Sequence, residues 1–164
     1  MLTHDPRGSQ EEREAARTGR LPRMRGGEEF DLARERVLAW LGDSGAERID
    51  IRIEGLGSSQ HIDYRLTVGG ERRPVRAGEG VAEAVEQLRH AQALPRHGAW
   101  LRSHLWMDTN MDADKGVLHQ ESDWMSEPDL GDGGPDADRC TEELEMHPRE
   151  PGLTPDWLKT RTEQ

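Results

Sequence analysis

Hydrophobic positions along the chain follow two periods, and the switches between them mark out the elements. From Glu28 to Leu41, Phe30, Val37, Leu38 and Leu41 recur near helical spacing, acids fill the first turn and Gly42 follows, which predicts a first helix. Ile49, Ile51 and Ile53 then alternate with Asp50, Arg52 and Glu54, and Ile62, Tyr64, Leu66 and Val68 with Asp63, Arg65 and Thr67. Period two predicts two half-buried strands, and the Gly55–Gln60 segment between them reads as a hairpin loop. Gly69-Gly70 turns the chain into a short third strand around Arg72–Arg76, where Pro74 argues for a sheet edge. Val81, Ala84, Val85, Leu88 and Ala91 restore the helical period over Gly80–Ala93, and Leu94-Pro95 ends it. Ala99–Met107 and Gly116–Met125 read as two more strands across the polar turn Asp108–Lys115. In the first, Leu101, Leu105 and Met107 share one face, with Trp100 and Trp106 on the other. A polar helix follows over Asp136–Glu145, and a last segment, Pro151–Lys159, has only Trp157 and Leu158 as apolar anchors.

This order predicts an α+β fold, an antiparallel sheet of about five strands with helices packed on one face. Residues 1–27 lack apolar periodicity and read as a flexible arm, leaving 28–164 as a single domain. Core material is thin: hydrophobic residues make up 32 % with one Phe and one Tyr, so the five tryptophans must supply most of the aromatic volume. No apolar run approaches membrane-spanning length, and the polar stretch Met1–Arg17 does not resemble a secretory signal. Cys140 is the only cysteine, which rules out an internal disulfide and fits a reducing compartment; a cytoplasmic location is expected.

Charge is distributed unevenly. Residues 28–107 hold eleven Arg against thirteen acids, whereas 108–164 hold five Lys/Arg against sixteen, a net of −11. Such a field repels nucleic acid and attracts a basic partner over about one Debye length, roughly 8 Å at physiological salt. The blander expectation is a solubilising surface.

Candidate catalytic groups are weak, and no enzyme activity is expected. Asp108-Thr109-Asn110-Met111-Asp112-Ala113-Asp114 opens like a calcium loop, but Ala113 replaces the sharp-turn glycine and His119 stands where a bidentate Glu is needed. His119, Glu121 and Asp123 alternate on one strand face, a possible divalent-ion set that lacks a second His or Cys at ligand spacing. Cys140 sits among Asp138, Glu142 and Glu143, whose charge suppresses a thiolate. No cofactor or metal is therefore expected.

The C-terminal third carries a family likeness. Trp124-Met125-Ser126-Glu127-Pro128-Asp129 ends a strand and enters an acidic loop. Thr141-Glu142-Glu143-Leu144-Glu145-Met146-His147-Pro148-Arg149 and Thr154-Pro155-Asp156-Trp157-Leu158 follow, and Gly98-Ala99-Trp100 stands upstream, after a Leu-Pro helix end. This order resembles the YezG-like immunity proteins of bacterial polymorphic toxin systems, in which a strand runs into an acidic segment, a helix and a final Pro-Asp-Trp-Leu. The likeness covers about residues 45–160. It implies an immunity protein that binds and neutralises a cognate toxin domain, often a nuclease. A basic toxin of that kind would meet Glu121, Asp123, Glu127, Asp129 and Asp132, with Trp124 as an aromatic anchor; the competing expectation for Trp124 is a core residue closing the sheet. The alternative reading is an acidic adaptor or divalent-metal-binding protein without catalytic activity.

Overall fold

The computed structural model describes residues 26–110, 116–131 and 134–163. Residues 1–25 of the expected arm, 111–115 of the calcium-like turn, and Asp132 lie outside them, while Gly27, the last residue of the expected arm, already opens the first helix. The expected α+β architecture is observed: a five-stranded antiparallel sheet of order β3-β2-β1-β4-β5. Its strands are β1 (Arg48–Leu56), β2 (Ser59–Val68), β3 (Glu71–Val75), β4 (Arg102–Asp108) and β5 (His119–Asp123). The helices are α1 (Gly27–Ser44), α2 (Val81–Glu86), α3 (Leu88–Ala91), α4 (Ala137–Met146) and α5 (Asp156–Thr162), with a 3-10 turn at Pro151–Leu153. No helix among the described residues is long and apolar enough to cross a membrane.

The sheet follows the alternation closely. Ile49, Ile51 and Ile53 are fully buried against Ala33, Val37 and Leu41 of α1 and Val81, Val85 and Leu88 of α2 and α3. The β1–β2 hairpin is tighter than the expected Gly55–Gln60 loop. Leu56 pairs with Ser59, so only Gly57-Ser58 turn, with Gly57 at a φ of 61°. That left-handed value costs a glycine little. Pro74 lies in β3, which is indeed an edge strand.

Three elements depart from the periodic reading. The helix expected over Gly80–Ala93 is interrupted at Gln87, giving α2 and α3. The apolar spacing runs through the break, so periodicity could not reveal it. The strand expected from Ala99 begins at Arg102, and Ala99, Trp100 and Leu101 are all buried ahead of it. Trp100 does not share an outer face with Trp106. Its indole Nε1 donates to Gln92 at 2.8 Å, inside a buried network that includes Gln120, Ser103 and Ser122. The strand expected from Gly116 begins at His119.

α4 and α5 pack at the hairpin end of the sheet around a second apolar cluster of Leu56, Leu101, Leu130, Cys140 and Leu158. Asp136 caps α4, its carboxylate accepting from the Arg139 backbone N–H at 2.8 Å.

Candidate binding surface

Register fixes what the sheet shows on the side away from α1–α3. Directly paired residues of an antiparallel sheet share a face. Arg48, Asp50, Arg52 and Glu54 therefore stand beside Asp63 and Arg65 on one flank and Arg102, His104 and Trp106 on the other; His119, Glu121 and Asp123 continue the row on β5. Much of this face is internally neutralised. Arg48 pairs with Asp50 and Asp108, and Arg102 with Glu54. Burial pushes the Asp50 carboxyl up, but hydrogen bonds from His104 and Arg48 outweigh it and hold Asp50 well below the ordinary carboxylate range. Trp106 stacks on His119 with centroids 5.1 Å apart, and lies tilted against His104 at 4.8 Å.

The residues weighed as a possible divalent-ion set are thus split among different tasks. His119 stacks on Trp106, and Asp123 caps the turn after β5, accepting from the Met125 and Ser126 backbone N–H groups. Partial burial raises the Asp123 pKa, but hydrogen bonds from Ser126 and Met125 prevail and lower it. No group of three or more His, Cys, Asp or Glu among the described residues is placed to hold a metal ion.

β5 and the chain beyond it form an acidic strap that joins the sheet to the C-terminal helices. Residues 116–131 carry Glu121, Asp123, Glu127 and Asp129 and no Lys or Arg. Trp124 is half-buried and packs against the main core, with its indole Nε1 buried and unpartnered. Its carbonyl accepts from Arg149 at 2.6 Å, and the Met125 carbonyl accepts from Trp157 Nε1 at 2.7 Å. Glu127 forms an ion pair with Arg161, and Leu130 is buried in the second cluster. The Asp129 N–H donates to Glu54 at 3.2 Å. Glu121 and Asp129 are exposed, and their carboxylates form no ion pair with another described residue. The strap is fixed at five points along its length while these two charges face outward.

Sequence reasoning missed the group that docks α4. Arg89 and Glu143 are both fully buried and form an ion pair. Arg89 also donates to the Trp100 and Gly57 carbonyls, and Glu143 accepts from the Gly57 N–H at 2.7 Å. Gly55 is required at this crossing, because a Cβ there would lie 2.5 Å from the Arg89 Cδ. Nearby, Arg149 donates to Trp124, Leu153 and Ala99 carbonyls, and burial lowers its pKa to about 10. His90 Nδ1 and His147 Nε2 meet at 2.7 Å across the same junction. Arg89 and Glu143 read as polar helix positions, and no local signal announces a buried pair 54 residues apart. Cys140 is buried here, and burial, ahead of its acidic neighbours, pushes its thiol pKa up.

Compared with known proteins, the chain matches no family model, and neither a curated protein nor a solved structure matches it.

Proposed function

We propose that this chain is a cytoplasmic immunity-type binding protein that neutralises a cognate toxin domain with a basic surface by electrostatic and steric blockade. One observation carries the reading: β5 and the strap beyond it, residues 116–131, hold four carboxylates and no Lys or Arg, and two of them, Glu121 and Asp129, are exposed and form no ion pair with another described residue. A fixed acidic segment meets a basic cleft without the entropy cost of ordering a loop, and its charge speeds encounter. The resemblance to YezG-like immunity proteins supports the same partner class.

The test is protection of cells from a toxin domain encoded beside this chain, followed by binding kinetics at two salt concentrations. Combined Glu121→Lys and Asp129→Lys should slow association by about tenfold or more at low salt, with stability nearly unchanged because both sites are exposed. Glu127→Lys is a poorer probe, since it also breaks the pair with Arg161. Parental association rates for the double variant at both salts would move the interface away from the strap.

A further inference from the structure

A groove of about 570 Å³ opens between β2 and the α2–α3 helices, lined by Ser58, Gln60, Ile62, Tyr64, Glu86 and His90, with Ala82 in its wall. It lies on the helix-facing side of β2, away from the strap face, because Gln60, Ile62 and Tyr64 pair with Gly55, Ile53 and Ile51. Its size falls within the range of sites that hold ligands. Two polar atoms of its lining are buried and have no hydrogen-bond partner: the Gln60 side-chain oxygen and the Tyr64 hydroxyl. Gln60 is oriented by its amide Nε2, which donates to the Glu86 carbonyl at 3.1 Å. Buried groups of this kind are nearly always bonded, so these two atoms leave hydrogen-bonding capacity unused beside the groove.

The chemistry of that occupant follows from the lining. Both orphaned atoms can accept hydrogen bonds, and Glu86 adds a carboxylate. Burial, then Glu86 and Glu83, hold the Tyr64 phenol up at about 12, so the hydroxyl stays neutral in a negative local field. Ile62, Ala82 and the Tyr64 ring supply apolar wall for an aliphatic stem. We infer that the groove receives an arginine or lysine side chain of a partner protein, the cationic head meeting Glu86, Gln60 and Tyr64 and the stem lying along Ile62 and Ala82. The source of that side chain rests on the proposed binding function; the selectivity of the groove does not.

Acetyl-arginine methylamide, acetyl-lysine methylamide, the neutral isostere acetyl-citrulline methylamide and the apolar acetyl-norleucine methylamide, titrated into the full chain, test this by amide chemical-shift mapping. The cationic compounds should shift Gln60–Tyr64 and Ala82–His90, with binding about tenfold weaker for citrulline and for the Glu86→Gln variant at unchanged thermal midpoint. Equal binding of arginine and citrulline, shifts confined to Glu121–Asp129, or no shifts at all would overturn the inference. Toxin protection, measured alongside, separates the two readings. Protection without a groove response overturns the groove alone, and a groove response without protection overturns the proposed function and leaves the cation site standing.

Discussion

The two halves of the domain are held by different forces. Among the described residues, fifteen buried ones form an apolar cluster around the sheet from Ala33 to Leu118, whereas α4 and α5 close over five, Leu56, Leu101, Leu130, Cys140 and Leu158. The smaller cluster is supplemented by charge: the buried Arg89–Glu143 pair, Arg149 and the His90–His147 contact all lie where the C-terminal unit meets the sheet. Apolar burial is non-directional and tolerant of conditions, while a buried ion pair is all-or-none in its partners and responds to protonation. The C-terminal unit, which anchors the acidic strap, is therefore the part whose attachment a single substitution should weaken most.

The sharpest break is Glu143→Ala, which strands the Arg89 guanidinium with no exposed surface. It should cost about 3–5 kcal/mol, read by denaturant unfolding. Hydrogen exchange should show protection lost first in Ala137–Thr162, with Ile49–Ile53 of β1 protected longer. The double variant Arg89→Met, Glu143→Leu should recover most of the loss, because neither charge is then left buried alone. Uniform loss of protection across sheet and helices would erase the distinction between the halves.

Acid should act on the same junction at smaller cost. His90 has its pKa lowered by burial and then Arg89, with Glu143 opposing; His147 has its pKa lowered by burial, with Glu143 opposing and Arg89, His90 and Arg149 adding to the fall. The folded state therefore prefers both rings neutral. Its stability is complete above the unfolded value of about 6.5 and is lost as pH falls below it through the depressed folded values. Asp50, on the open sheet face, is depressed below its ordinary 3.8, so its contribution persists through that window and is lost only at lower pH. Stability measured from pH 7.5 to 5 should fall, and His147→Gln should flatten the slope. An unchanged slope in that variant would assign the acid sensitivity elsewhere.

The smallest effect should come from Asp136→Ala, which removes the α4 cap and should cost about 1 kcal/mol. Its loss should appear in α4 exchange and leave the sheet unaffected.

Alternation and helical spacing determined β1, β2 and α1, because Ile49, Ile51 and Ile53 encode a face that any fold of this chain must bury, and Ile62, Tyr64 and Leu66 extend it, partly buried, on β2. The acidic excess of the last third was equally plain, since charge counts need no coordinates. Tertiary structure alone decided which charges are spent internally. Glu127 is neutralised by Arg161, Asp123 by backbone N–H groups, and Glu143 by an arginine in a helix read as part of the core-facing segment. It also decided that Trp100 is buried while Trp106 stacks between two histidines on the opposite face. The physical reason is that periodicity reports a residue's face within its own element, whereas ion pairing and burial at an element's end depend on which distant segment is folded against it.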